Sequence, residues 1–514
     1  MSSPIQGNLA KDRLGVPSVV FFVMSAAAPL TVVAGVITTG YAATQITGIP
    51  FAFITIAILL MLFSVGYVAM SRHISNAGAF YTYVTHGLGR PLGVGAAWMA
   101  LVAYNALQIG LYGIVGFAAS EPLKRFFDIE PKWWVVALVC WGIVAILGLL
   151  RVDINSKVLA LLLTLEIVIV LVYDFADLAK PAEGGITFDT LQPNNLFVTG
   201  FGAVLVLALL GFTGFESSVV FSEESKNPRR TIALATYISV AIIGVVYALS
   251  AWAMSVATGP NNIVAASTEN GPFTIFGLAG ERLPSVFVDI GGVLFATSVL
   301  AAAISFHNTV ARYTFALGRE RVFPGFLSAT GRRSGAPIAG SVLQSAIGLA
   351  AIIVYAILDL DPVFQLMFWV GTAGGFGVLV LIALTSLAVI SYFARNDNGE
   401  NLWRRLLAPV LSLLALGLVV YFAVINFKNL LAVPPGHPGE SAVPTLSWLI
   451  PAVYPAVAVL GILWALVLKA TRPDVYQAIG LGANSATGVT TQSRVLPSQY
   501  AAQHGPGAGQ DVYR

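Results

Sequence analysis

One carboxylate inside an apolar stretch sets the chemistry to look for. Glu216 follows LFVTGFGAVLVLALLGFTGF, a run apolar enough to enter a membrane, and Gly211, Phe212, Thr213, Gly214 and Phe215 lead directly into it. An intramembrane carboxylate costs at least about 2.5 kcal/mol on the most lenient insertion scale, so it needs a partner or a task. Gly211 and Gly214 each lower helix propensity by about 1 kcal/mol against alanine. Unwound backbone at membrane depth persists only where it lines a cavity or is buried in protein. The segment therefore reads as a broken helix whose bare carbonyls, Leu210 to Thr213, can receive a cation. Glu216 has two readings, coupling the pocket to a gate or capping the amides that the break exposes. A second acid, Glu166, lies in another apolar run, NSKVLALLLTLEIVIVLVYDF. Either acid can carry a proton or, if ionised, bind sodium, and the proton is the favoured expectation.

A second interruption lies in VVFFVMSAAAPLTVVAGVITTG, where Pro29 stands in mid-run behind Ala26, Ala27 and Ala28. Proline removes a backbone hydrogen bond and clashes with the preceding turn. The free amides of a helix restarting near Leu30 would form an anion site, although Pro29 itself donates nothing. The plainer alternative is a kink in a packed helix. Further along, Tyr104, Gln108 and Tyr112 share one helical face next to Asn105, a polar stripe that should look inward. Interhelical hydrogen bonding is the competing role, above all for Tyr112. His307 can shuttle a proton, but a lone intramembrane histidine more often satisfies a neighbour. Trp369 and the glycines after it permit either tight packing or a moving gate.

These residues need a membrane to sit in, and the composition supplies one. Of 514 residues, 57% are hydrophobic and 10% charged, with mean hydropathy +0.83. A soluble domain carries about 25% charged residues. The sequence predicts an all-α integral membrane protein of about twelve transmembrane helices. Its parts are an N-terminal segment 1–15, a first half 16–178, an outer loop 179–196, a second half 197–393, two further spans in 394–470 and a polar tail 471–514 expected to be disordered. Lysine and arginine concentrate in alternate loops. Lys124, Arg125, Lys132, Lys180, Arg282 and Lys428 are the exceptions that mark the outer side, which places both termini in the cytoplasm and predicts a multi-pass plasma-membrane protein. Asn76, Gly78, Tyr81 and Tyr83 predict a short interfacial helix with its tyrosines at headgroup depth. Net charge is only +3 and no basic stripe occurs, which argues against a nucleic-acid partner; the lone Cys140 permits no internal disulfide.

Breaks in the first and sixth spans fall at corresponding positions of segments crossing in opposite directions, the sequence pointer to an inverted repeat with its site between them. No metal-ligand cluster, no nucleophile with a base and no phosphate-binding loop is visible, so neither an enzyme nor an ATP-driven pump is expected. No cofactor is expected beyond a coupling proton or sodium ion. A transmembrane sensor of similar build is a remote alternative.

The stretch GFTGFESSVVFSEESKNPRR, with NAGAFYTYV, Asn105 and ALGRERVFPGFL followed by GAP, resembles the amino acid/polyamine/organocation (APC) family of permeases. The resemblance runs from about Leu14 to Lys469. It implies a LeuT-type fold of two inverted five-helix halves plus two peripheral helices, with the first and sixth discontinuous. It also implies an imported amino acid whose carboxylate meets the free amides of the first break, at Ala26, Ala27, Ala28, Pro29 and Leu30 with Pro29 donating nothing, and whose ammonium meets the sixth helix at Phe212 to Glu216. Asn105 and Gln108 would complete the pocket, Glu166 and Glu216 would couple it to an ion, and Tyr104 and Trp369 would gate it. One departure stands out: the family commonly has Gly-Ser/Thr-Gly at the first break, and this chain has Ser-Ala-Ala-Ala-Pro. That version resembles the branch containing putrescine importers, so an amine importer and an exchanger remain open, as does the oligomeric state.

Overall fold

Where a helix can run unbroken and where it must stop are set by a few residues in each span. The computed structural model describes residues 9–482 except 75, 183, 432 and 434–438. It is all-helical, and among the described residues eleven helices are long and apolar enough to cross a membrane. With a shorter apolar helix of 17 residues, Trp133–Leu149, we number them in chain order: α1 Val16–Thr44, α2 Ile49–Ser71, α3 Arg90–Phe127, α4 Trp133–Leu149, α5 Val152–Ala179, α6 Phe201–Glu224, α7 Pro228–Thr258, α8 Ser285–Arg319, α9 Ile338–Ile357, α10 Pro362–Arg395, α11 Trp403–Ile425 and α12 Glu440–Thr471. Many outward side chains are large and apolar; Ile58, Val139, Ile146, Leu161, Val245 and Leu414 are all more than half exposed. Surfaces of that kind belong against hydrocarbon.

α1 stops after Ala27 because Ala28 turns left-handed, with φ 48° and ψ 69°, and Pro29 cannot continue the ladder. A left-handed L-residue costs about 1–2 kcal/mol, so surrounding packing must hold it. The chain restarts at Pro29, passes a π-helical turn at Val32–Ile37 and ends at Thr44. α6 is α-helical only to Gly211; Gly214 takes φ 113°, and Phe215–Glu224 continue as a 3₁₀ helix. Such helices rarely exceed three or four residues, so tertiary contacts sustain this one.

The segments between and after the spans carry structure of their own. The short helix between α2 and α3 is Ala79–Leu88, but Tyr81 and Tyr83 are fully buried rather than interfacial. Tyr81 donates to Glu320, while the Tyr83 ring packs edge-on to Tyr67. The link from α7 to α8 contains two further helices, Ile263–Asn270 and Thr274–Arg282. The start of the tail is ordered, not disordered: Pro473–Ala478 is helical, and the amides of Gly480 and Gly482 donate to the two oxygens of Glu320, each at 2.8 Å. The tail from residue 483 onward lies outside the described residues. At the chain start, Arg13 and Leu14 donate to the Glu224 carbonyl, and Lys226 donates to that of Leu14.

Candidate functional site at two broken helices

The two breaks touch. A Cβ placed on Gly214 would lie 2.6 Å from the Ala26 Cβ and 3.3 Å from the Ala27 nitrogen, so only glycine permits both the positive φ and this approach. Ala26, Ala27, Ala28, Pro29, Leu30, Phe212, Thr213, Phe215 and Glu216 are all buried around that contact.

The amides that restart α1 can be accounted for one by one. Ala28 donates back to the Met24 and Ser25 carbonyls at 3.2 Å, and Pro29 has no N–H. Leu30 donates to Glu166 Oε1 at 2.5 Å; Thr31 donates to Ser298 Oγ at 3.4 Å; Val32 donates to the Ala28 carbonyl at 3.0 Å. Ser298 donates to the same Glu166 oxygen at 2.8 Å and accepts the Thr31 hydroxyl at 2.9 Å. The carboxylate therefore sits at the positive end of a half-helix, where a negative group is favoured. Tyr247 donates to the Ala27 carbonyl on the other side of the break.

α6 solves its own break locally. Glu216 Oε2 accepts the Gly214 amide, two residues back, at 2.9 Å, and Oε1 accepts the Tyr104 hydroxyl at 2.7 Å. Tyr67 donates to the Glu216 carbonyl, and the Ser217 hydroxyl to that of Gly214. The Thr213 hydroxyl is buried with no protein partner.

Of the α3 stripe, Tyr104 joins the breaks, whereas Gln108 and Tyr112 do not. Gln108 bonds Tyr112, accepts from Gln344 at 2.7 Å and lies 3.3 Å from His307 Nδ1; His307 Nε2 is 2.7 Å from the Ser341 hydroxyl. This network ties α3, α8 and α9 and takes up His307, leaving the Gln344 side-chain oxygen buried without a partner. Asn105 donates to the Leu101 carbonyl of its own helix.

Where α6 exits, two acids close the bundle. Glu224 holds Arg312 through bonds of 2.5 and 3.0 Å with both side chains about 1% exposed, and Glu223 holds Arg319 through two bonds of 2.7 Å. Both partners lie on α8. Removing one member of such a buried pair costs about 3–5 kcal/mol. Beside it, burial raises the Glu320 carboxyl above its ordinary range, opposed by the Tyr81 hydroxyl and the tail amides.

The opposite end holds a cavity of about 920 Å³. It runs from Ala43 near the end of α1 and Lys428 just beyond α11, past Phe117 of α3, to the mid-helix residues Thr31, Leu210, Phe306 and Gly375. None of the residues expected to bind substrate lines it; Leu30 and Phe212 sit one and two positions beyond its inner end. Neither expected gate lines it either. Tyr104 stacks near the rings of Phe306 and Tyr313 while bonded to Glu216, and Trp369 leaves the lining to Met367 and Phe368. Ser298, Thr31 and Phe306 are the residues that sequence reasoning missed. Ser298 sits among apolar neighbours like any helix-packing serine, so only its distance to Glu166 reveals it.

Residues 14–461 match the family model described as amino acid permease. The low-affinity putrescine importer PlaP of Escherichia coli K12 is 26% identical over 386 residues, covering 71% of this chain and 78% of that protein. The branched-chain amino acid permease BcaP of Bacillus subtilis 168 is 21% identical over 410 residues, covering 74% and 81% respectively. The cadaverine/lysine antiporter of E. coli K12 is 28% identical over 181 residues, 34% of this chain and 38% of that protein.

Proposed function

This chain belongs to the amino acid permease family, a family of transporters and not of enzymes, and from that premise we propose that it imports an amino acid or a related amine by proton-coupled alternating access. The observation that carries the reading is the contact between two broken helices, each capped by a buried carboxylate, at the inner end of the cavity. Lysine and arginine placement argues for cytoplasmic termini. With that orientation the cavity opens outward, and the Glu224–Arg312 and Glu223–Arg319 pairs close the cytoplasmic side. Transport then requires those pairs to separate and the cavity to close, which is the two-state element that alternating access needs. Glu216 is the stronger coupling candidate, because its two ligands come from α3 and from the α6 break, so its protonation would be felt by both. Glu166 is the other.

The test is uptake into proteoliposomes under an inward pH gradient, with sodium-free, sodium-loaded and counter-substrate-loaded controls. Accumulation that a protonophore abolishes supports the reading. Dependence on sodium reassigns the coupling ion, and uptake only with internal counter-substrate makes the protein an exchanger.

A further inference from the structure

We propose that Glu166 is a built-in carboxylate that fills the amide cradle of the α1 break, and that the site consequently selects organic cations carrying no carboxylate of their own. The proposal rests on the transporter reading and narrows its substrate class.

The cradle is full. Of the backbone positions from 28 to 32, one has no N–H, two donate to carbonyls of α1 itself, and the remaining two, Leu30 and Thr31, donate to Glu166 and Ser298. No amide there is left for an incoming carboxylate. Displacing Glu166 is unfavourable on two counts. Its side chain is about 1% exposed and Ser298 is fully buried, so a withdrawn carboxylate would lose its donors without reaching water. A substrate carboxylate entering beside it would also place like charges a few ångströms apart in a low-dielectric setting. Exclusion of this kind discriminates by repulsion.

The same arrangement attracts a cation. Thr31 lines the inner end of the cavity, and its hydroxyl donates to Ser298, which donates to Glu166. One hydrogen-bonded relay thus separates the cavity from a buried carboxylate. The unpartnered Thr213 hydroxyl lies 3.9 Å from the Cβ position of Gly375, another lining residue, and can accept an ammonium proton. Leu107, Leu111, Leu210 and Phe306 offer apolar wall to a methylene body. The ligand that fits is a primary alkylamine or diamine.

The experiment compares each amino acid with the amine left when its carboxyl group is removed: ornithine with putrescine, lysine with cadaverine, leucine with isopentylamine. Binding is read as the ligand-dependent shift in unfolding midpoint of the purified full-length protein in detergent, and transport as uptake in proteoliposomes. Wild type should favour the amine of at least one pair by about ten-fold or more. E166A, which vacates the Leu30 amide and leaves Thr31 on Ser298, should gain at least about ten-fold for the acid member. E166Q keeps an acceptor for Leu30 and should fold even where E166A does not; it should weaken amine binding by about ten-fold through loss of charge alone. Acid members bound by wild type as tightly as their amines, or amine affinity unchanged in E166Q, would overturn the assignment while leaving the transporter reading intact. No response to either member of any pair would overturn the assignment, since no amine then binds, while the transporter reading stands or falls separately with the uptake assay under a pH gradient.

Discussion

The breaks in α1 and α6 answer one physical problem in opposite ways. Each interrupts a buried helix and frees amides that cannot reach water. α6 uses its own chain, since Glu216 reaches back two residues to Gly214. α1 has no such residue, because Ser25, Ala26, Ala27, Ala28 and Pro29 offer only one short hydroxyl, and it borrows Glu166 from α5 and Ser298 from α8. A locally capped break can move as a unit. A break capped from two other helices can change only if those helices yield or the cap lets go. The α6 break is therefore suited to motion and the α1 break to fixed recognition.

The comparison is most severely broken at the point where the two regions meet. G214A forces a left-handed L-residue and a methyl group into Ala26, and should lower stability by about 3 kcal/mol and abolish uptake. The unfolding midpoint in detergent reports the first effect. Next comes E166A, which strands the Leu30 amide and costs about 1–3 kcal/mol. It should destabilise more than E216A, whose stranded Gly214 amide lies in a turn that can relax; equal losses would remove the distinction between the two breaks. E216Q sharpens the matter, because its amide oxygen can still cap Gly214. Uptake should fall while yield and membrane insertion stay normal, and unchanged kinetics would leave Glu216 a cap and nothing more. The smallest effect is expected from Y104F, about 1 kcal/mol from one lost hydrogen bond, with a shifted pH profile of uptake if Glu216 titrates during transport.

Much of this was legible before any coordinates. Pro29 and the Gly211, Gly214 pair located both breaks, because proline and glycine act on the backbone they belong to. The competing role of Glu216 as a cap was legible for the same reason, with its partner two residues away. The role of Glu166 was not. Its amide partner is 136 residues distant, and the spacing of residues along α5 carries no trace of it. The tyrosines of Ala79–Leu88 misled because a tyrosine at a membrane surface and one buried in the bundle look alike until Glu320 is placed beside Tyr81 and Tyr67 beside Tyr83. The tail's first turns misled because a polar composition lacks the apolar surface to fold alone, yet here two glycine amides dock on a buried acid.

By itself the sequence determined the solvent of this protein, its helical class and the two places where helices must fail. Hydropathy, proline and glycine act through transfer free energy and backbone torsion, which are properties of single residues and short windows. Only the tertiary structure decided what those failures touch: that the amides of the first are already taken by Glu166 and Ser298, that Tyr104 serves Glu216, and that the cavity stops just short of both breaks. Those are hydrogen bonds and contacts between helices far apart in the chain, and they exist only once packing has fixed which faces meet.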